Sequence, residues 1–302
     1  RRGHEVVITC AGAPPSIRRG HVTVADPDTA LQGVYDVAIS NNFARAFDGV
    51  NAPTKIVWTH NPGFSQAHIK ADAVAKWRHR PHLVHLSKYT QSRSWFLPRA
   101  GQTIIRHGMP AELLAKRSER RQAGAPVAVF ASYPGRNLRK VIAAWRDVVH
   151  PKVPQARLVI AAEVEAKHLA GVPASELGRL NIDVVGVLGW SELMDLMRTA
   201  RVFVAPGHFQ ETYNLLSVEA AACGVPTVTM GIGALRERVS HDVNGWIAGS
   251  TAAMGVAIAR VLADDELWLR YHRASLVHPD LVSWEERAAE WEAYIAQLSR
   301  AG

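Results

Sequence analysis

A chain of 302 residues is long enough for two domains of ordinary size. With 48% hydrophobic and 21% charged residues, the chain is neither disordered nor collagen-like. It has two cysteines, Cys10 and Cys223, which exclude a disulfide scaffold and a zinc finger and fit a reducing cytoplasm. The net charge of +8 is uneven, since the first 120 residues hold 17 Lys and Arg against 8 Asp and Glu. This excess indicates an anionic partner, such as a phosphorylated substrate or a membrane surface, with solubility and chance as the alternative. Since no recognition motif is present, nucleic acid is not the expected partner.

Short apolar runs alternate with helical stretches in the first 117 residues. The predicted strands are Glu5–Cys10, His21–Ala25, Tyr35–Ser40, Lys55–His60, His82–Ser87 and Gln102–Arg106. Helices are predicted at Ala67–Arg78 and Lys88–Leu97, and the Asp26-Pro27-Asp28 run is interpreted as a helix cap, not as a metal-binding Asp-x-Asp motif. Continuous apolar strands separated by helices are typical of a parallel sheet that is covered on both faces.

The charged and then Gly/Ala/Pro-rich segment Lys116–Pro126 predicts a linker, and the same alternation restarts after it. Strands are predicted at Val127–Ser132, Ala156–Ala162, Ile182–Val187, Val202–Ala205 and Thr227–Met230. Helices are predicted at Leu138–Val149, Ser191–Thr199, Leu215–Cys223, Ala252–Leu262, Asp265–Ala274 and Ser283–Leu298. The pattern predicts two doubly wound α/β domains, at residues 1–117 and 118–282, followed by a C-terminal helix at residues 283–302.

Two carboxylates, Glu211 and Glu219, lie eight residues apart in the stretch with the most chemistry, Ala205–Gly249. Glu211 follows a predicted strand, and Glu219 lies inside the next helix. The start of that helix offers unpaired N–H groups and the positive end of the helix dipole, which suit a diphosphate. A carboxylate can accept hydrogen bonds from two neighbouring sugar hydroxyls. The alternative is that both are solvated surface groups.

The residues around the two glutamates resemble the GT-B retaining glycosyltransferases of family 4. The matching motif residues are Pro206-Gly207, Glu211, Tyr213-Asn214, Glu219-Ala220, Gly224-Val225-Pro226, Gly231-Ile232-Gly233, Glu237 and Asn244-Gly245. The segments Val184–Gly189, Ile105–Met109 and Val282–Trp284 are similar to further parts of the family pattern. The resemblance implies two Rossmann-like domains that face each other across a cleft, with the C-terminal helix crossing back to the first domain. It also implies that the family's first strand, with its Gly-rich loop, and first helix precede Arg1.

The resemblance implies a role for each motif residue of the second domain. Glu211 is expected to contact hydroxyls of the donor sugar, and Glu219 is expected to bind the ribose of the nucleotide. Backbone groups at Thr212, Tyr213, Asn214 and Leu215 are expected to hold the diphosphate. Three residues depart from the pattern around this site, since Tyr213 and Asn214 replace Phe-Gly, and Gly207 replaces the Ser of Pro-Ser.

Three further residues complete the predicted site. Arg136 is the first choice for neutralising the phosphates and Lys140 the second, although both also fit ordinary charges at the start and on the face of a helix. His60 follows a predicted strand and is expected to hydrogen-bond a sugar hydroxyl or to steer the acceptor, with a capped strand-end histidine as the alternative.

The resemblance implies a retaining hexosyltransferase that needs no metal and no cofactor. Its donor is expected to be a nucleoside-diphosphate sugar, and its acceptor a glycan or a lipid-linked acceptor of polysaccharide or cell-envelope synthesis. A cytoplasmic location, peripheral on the inner face of a membrane, fits the basic first domain. The alternatives are a non-catalytic nucleotide-sugar-binding protein and another GT-B enzyme such as a sugar-nucleotide epimerase.

Overall fold

The computed structural model describes residues 3–10, 12–13, 16–60, 66–94 and 99–301. These form two compact units. The first unit comprises Arg1–His85, Arg93–Ile104 and Glu292–Gly302, and the second comprises Leu86–Ser92 and Ile105–Trp291. This division differs from the predicted domain boundaries after residues 117 and 282.

Residues 105–115 belong to the second unit for a structural reason. Met109 pairs with Ser283 in an isolated parallel bridge. Leu113 is buried and packs against Met194 and Ala222. These contacts lie upstream of the charged linker, so the change in composition at residue 116 does not mark the point at which the fold divides.

The first unit contains two sheets. Its strands are β1 Val6–Thr9, β2 Ile17–Arg19, β3 Val22–Ala25, β4 Val37–Asn41, β5 Thr54–Thr59, β6 His82–His85 and β7 Gln102–Ile104. Strands β4 to β7 are parallel and neighbour each other in chain order, as the apolar runs predict. In the other sheet, β3 pairs in parallel with β1 and antiparallel with β2. The sequence predicts no strand at β2 because that strand has one apolar residue beside two arginines.

The helices of the first unit are α1 Pro27–Leu31 and α2 Gln66–His79. Asp26 caps α1 as predicted, since its carboxylate accepts a hydrogen bond of 3.0 Å from the Thr29 N–H. Asp72 of α2 is buried, pairs with Lys76 and accepts a hydrogen bond of 2.7 Å from the Ala44 N–H. This buried pair ties α2 to the 3₁₀ turn that begins at Ala44.

The second unit contains the remaining elements. Its helices are α3 Lys88–Ser92, α4 Ala111–Ala115, α5 Leu138–Ala144, α6 His150–Lys152, α7 Trp190–Thr199, α8 Leu215–Ala222, α9 Thr251–Ala263, α10 Asp265–Leu276 and α11 Trp284–Ala301. Its strands are β8 Val127–Phe130, β9 Arg157–Ile160, β10 Ile182–Val184, β11 Val202–Gly207, β12 Thr227–Ile232 and β13 Gly245–Ile247. The predicted helix Lys88–Leu97 ends at Ser92, and residues 95–97 lie outside the described residues. The π-helical turn Trp145–Val149 joins α5 to α6. Helix α11 contributes to both units, from Glu292 onward to the first.

The sheet of the second unit is wholly parallel, with the order β10-β9-β8-β11-β12-β13. Counted from β8, this is the order 3-2-1-4-5-6 of a doubly wound nucleotide-binding fold. Helices cover both faces: one core contains Trp145 and Trp268, and the other contains Met197 and Ala220. The direction of winding reverses between β8 and β11, and the loops that follow these two strands therefore meet at the edge where such folds bind ligands.

Among the helices of the described ranges, none combines the length and the apolar character that crossing a bilayer requires. Within the same ranges, no three His, Cys, Asp or Glu side chains are grouped so that they could hold a metal ion.

Candidate functional site

The loops after β8 and β11 are joined by an ion pair at the switch point of the sheet. Arg136 follows β8, and its Nη1 donates a hydrogen bond of 2.5 Å to Oε1 of Glu211, which follows β11. Glu211 is 3% exposed, whereas 40% of the Arg136 side chain is accessible. The pair therefore has a buried anion and a cation with a free solvent-facing side. A guanidinium has five N–H donors, so Arg136 keeps donors for a ligand phosphate while it holds Glu211.

Two glycines let the Glu211 loop approach the sheet. Gly207 ends β11 with φ +93°, and a Cβ on it would lie 2.8 Å from the Ile232 carbonyl oxygen. The Gly207 carbonyl accepts a hydrogen bond of 2.6 Å from Asn137 Nδ2, which adds a second link between the two loops. Gly233 has φ +69°, and a Cβ there would lie 2.9 Å from the Glu211 carbonyl oxygen. The departure from Pro-Ser to Pro-Gly thus matches a backbone conformation that favours glycine.

Asn214 connects Glu211 to the start of α8. It is the N-cap residue, with φ 62° and ψ 76°, and its Oδ1 accepts a hydrogen bond of 3.0 Å from the Ser217 N–H. Its Nδ2 donates at 3.0 Å to Oε2 of Glu211. Each carboxylate oxygen of Glu211 thus has one donor from the protein and free acceptor capacity for another. At the helix start, the N–H groups of Leu215 and Leu216 have no acceptor within the helix and remain for an anion.

Glu219 lies about 6 Å further along the axis of α8, on the estimate of 1.5 Å per residue from Leu215. It is buried, and this burial raises the pKa of its carboxyl above the ordinary value. Trp190, the first residue of α7, donates from its indole Nε1 to Oε1 of Glu219 at 2.9 Å. Trp190 is a site residue that the sequence does not predict, because a tryptophan at a helix start gives no indication of its hydrogen-bond partner.

The other predicted residues of the second unit have unequal positions. Lys140 lies in the first turn of α5, half-buried, and its ammonium has no ion-pair partner among the described residues. Leu215 is 38% exposed at the start of α8. The Tyr213 side chain is buried and forms part of the core, so only its backbone is available to a ligand. The Thr212 carbonyl accepts a 3.4 Å hydrogen bond from the Thr90 hydroxyl.

A network of buried charges supports the Tyr213 ring. The Arg238 guanidinium lies 4.6 Å from the ring centroid, and Arg238 pairs with Asp280, which is also buried. Burial lowers the pKa of Arg238 to about 10. Arg106 donates to Asp280 at 2.7 Å. Glu237 accepts from the first N–H groups of α3, with a distance of 2.7 Å to the Tyr89 nitrogen. This network fixes the segment that leads into α8.

His60 lies in the first unit, directly after β5, as predicted. Its backbone N–H donates to the Asn42 side-chain oxygen at 2.7 Å, and its ring makes an edge contact of 4.3 Å with the Trp58 ring. Burial lowers the pKa of His60, so the imidazole is neutral near pH 7. A neutral imidazole has one donor and one acceptor, the pair that a hydroxyl can use.

Sequence comparison finds a family model that matches part of the second unit. Residues 125–264 match the family model described as "Glycosyl transferases group 1". A D-inositol 3-phosphate glycosyltransferase from Segniliparus rotundus is 31% identical over 157 residues, which is 49% of this chain and 34% of that protein. A protein of the same name from Corynebacterium glutamicum is 30% identical over 169 residues, which is 55% of this chain and 37% of that protein. The chain thus spans about a third of the length of these curated relatives.

Structural comparison shows the fold. Sucrose-phosphate synthase from Thermosynechococcus elongatus has a TM-score of 0.74 at 16% identity, over 99% of this chain and 90% of that one. The Anabaena protein HepE, solved in complex with UDP, has a TM-score of 0.73 at 15% identity, over 91% of this chain and 86% of that one. These similarities and the parallel α/β sheets confirm the predicted GT-B fold class and the resemblance to this family.

Proposed function

We propose that the chain, whose residues 125–264 match the glycosyl transferases group 1 family model, is a retaining glycosyltransferase. Its donor is a nucleoside-diphosphate sugar. The observation that carries this proposal is the pairing of a buried Glu211 with a solvent-facing Arg136 at the switch point of the sheet, beside the free N–H groups of α8. An anionic group and a cationic group side by side suit a ligand that has hydroxyls next to phosphates.

The proposed donor is bound along α8 from the sugar to the base. Glu211 accepts from hydroxyls of the sugar, using the acceptor capacity that Arg136 and Asn214 leave open. The N–H groups at Leu215 and Leu216 and the Arg136 guanidinium hold the diphosphate. Glu219, further along the helix, accepts from the ribose hydroxyls.

The proposed chemistry breaks the bond between the anomeric carbon and the diphosphate oxygen, and the electron pair leaves with the diphosphate. The acceptor hydroxyl attacks from the same face, and its proton passes to the departing phosphate oxygen, so that the anomeric configuration is retained. Fixed positive groups that face the developing phosphate charge lower the barrier. We propose that Arg136 and the start of α8 supply them, with Lys140 nearby, and that no metal is required. His60 is proposed to hydrogen-bond a hydroxyl of a substrate.

We propose a glycan or a lipid-linked molecule as the acceptor, bound at the surface of a membrane. The support is the excess of Lys and Arg in the first 120 residues. Sedimentation with vesicles tests this: we expect binding to vesicles with anionic lipid at low salt, which added salt releases, and none to neutral vesicles. A chain that stays in the supernatant with both vesicles contradicts the membrane part of the proposal.

The test of the donor site is calorimetric titration of UDP and GDP into the native chain and into Glu219→Ala. We expect one nucleotide to bind, and the substitution to weaken it at least tenfold. Incubation with the matching nucleotide sugars, followed by NMR of the product anomer, then tests transfer with retention. Binding without turnover supports a non-catalytic protein, and conversion of the donor to its epimer supports an epimerase. A folded chain that binds neither nucleotide contradicts the proposal.

A further inference from the structure

Glu219 is a buried carboxylate with no cationic partner among the described residues. Its Oε1 accepts the Trp190 N–H, and within the described part of the chain no other side chain donates to it. A buried carboxylate is costly unless it accepts hydrogen bonds, so the Trp190 N–H is the contact that stabilises Glu219 in its observed orientation. The indole N–H therefore sets the direction in which the remaining acceptor positions of Glu219 point.

Trp190 itself is not a core residue. It is 39% exposed, whereas Glu219 is 6% exposed. Helices α7 and α8 are neighbours, and the segment between β10 and Trp190 carries further exposed apolar side chains, Val185 and Val187. The indole thus combines a buried polar edge, which holds a carboxylate, with an accessible apolar surface.

We propose that Trp190 is a positioning residue for nucleotide recognition, which holds the Glu219 carboxylate in the orientation that accepts the ribose hydroxyls. The inference rests on the proposed function of the site. One carboxylate has about four acceptor positions, and the indole uses one of them, which leaves enough for the 2′- and 3′-hydroxyls of a ribose.

The test compares ribonucleotides with 2′-deoxyribonucleotides. Trp190→Phe keeps an aromatic ring and removes the N–H, and calorimetry then measures the Kd of UDP, GDP, dUDP and dGDP. We expect the Kd of the preferred ribonucleotide to rise about tenfold, because a hydrogen bond to a charged group is worth roughly one such factor. The Kd of its deoxy analogue is expected to change less than threefold, so the preference for ribose falls.

Two controls separate positioning from damage. Glu219→Ala should abolish the preference for ribose, and adding Trp190→Phe to that variant should then have no further effect. Trp246→Phe changes a half-buried tryptophan of β13 elsewhere in the unit and should leave all four Kd values unchanged. The ratio of two Kd values on one protein sample does not depend on how much of that sample is folded.

The outcomes distinguish the inference from the proposed function. If Trp190→Phe weakens the binding of the ribonucleotide and of its deoxy analogue equally, or weakens neither, the positioning role is overturned. A loss of nucleotide affinity in Glu219→Ala still supports the nucleotide site in that case. An unchanged ribose preference in Glu219→Ala overturns the assignment of the ribose to Glu219 and the role of Trp190 with it. A native chain that binds none of the four nucleotides overturns the proposed function first, and the inference falls with it.

Discussion

Replacement of Asn214 provides the sharpest test of how the start of α8 holds Glu211. Asn214 has three roles: it adopts a left-handed backbone conformation, its Oδ1 caps the helix at Ser217, and its Nδ2 holds Glu211. Asn214→Ala removes both side-chain contacts and places a Cβ-bearing residue without polar groups at φ 62°. Asn214→Gly removes the same contacts but tolerates the backbone conformation, and it restores the glycine of the family pattern.

The magnitudes follow from these three roles. Loss of the cap costs about 1 kcal/mol for alanine and a few tenths for glycine. The left-handed conformation costs alanine about 1 kcal/mol and glycine nothing. The lost hydrogen bond to the buried Glu211 carboxylate costs roughly 1 kcal/mol in both variants, because Asn214 is only half-buried. We therefore expect destabilisation of about 3 kcal/mol for alanine and about 1.5 kcal/mol for glycine.

Thermal unfolding followed by circular dichroism measures the difference. The second unit has about 190 residues, for which 1 kcal/mol lowers Tm by about 2–4 °C. Asn214→Ala should lower Tm by about 6–12 °C, and Asn214→Gly by about half as much. Equal losses in the two variants would refute the assignment of strain to position 214. A Tm like that of the native chain in both would refute the contribution of the cap and of the bond to Glu211.

Substitutions at three further positions test the site and the core. Arg136→Ala removes the guanidinium that holds Glu211 and faces the proposed phosphates, so the affinity for the nucleotide sugar, measured by calorimetry, should fall about tenfold. Arg136→Lys should recover part of this affinity. Equal affinities of the native chain and Arg136→Ala would contradict a phosphate role for Arg136. Gly207→Ser should lower Tm by 4 °C or more, because φ +93° and the Ile232 carbonyl oxygen leave no room for a Cβ, and an unchanged Tm would contradict this account. Burial lowers the pKa of His85 to about 4, so the folded chain binds fewer protons than the unfolded one between about pH 6.5 and pH 4. Stability is then complete above about pH 6.5 and falls by up to about 3 kcal/mol as the pH drops to 4; His85→Gln should make the fall in Tm with pH shallower, and an unchanged slope would show that other groups cause it.

The parallel sheets could be predicted because their strands are continuous apolar runs with helices between them. Strands β8, β9 and β11 are almost fully buried, and their Val and Ile residues make the run visible in the sequence. Strands β2 and β13 were not predicted: β2 has one apolar residue beside two arginines, and β13 has only Trp246 and Ile247 after a glycine. The order of the strands was also beyond the sequence, since apolar runs carry no information on which strands pair.

Glu211 and Glu219 could be predicted from one local motif and Arg136 from the loop after β8, but the contacts that join these residues could not be predicted. Glu211 and Glu219 belong to one segment, and the resemblance to the family identifies both. Their partners Arg136 and Trp190 come from 75 and 29 residues away and meet them through the sheet order and the packing of α7 on α8. The local motif identifies the two carboxylates that accept hydrogen bonds, whereas the side chains that donate to them reach them only through the tertiary structure.

Two of the departures from the family pattern, at positions 214 and 207, each suit the backbone conformation at their own position. At position 214 the pattern has glycine, and this chain has the residue besides glycine that best tolerates a left-handed backbone. Because that residue is asparagine, its side chain also caps α8 and holds Glu211. At position 207 the pattern has serine, and this chain has a glycine with φ +93°, whose carbonyl is held by Asn137. Asn137 is itself left-handed, with φ 70°. Two asparagine amides thus hold the two loops that carry Arg136 and Glu211, so these departures keep the site in place.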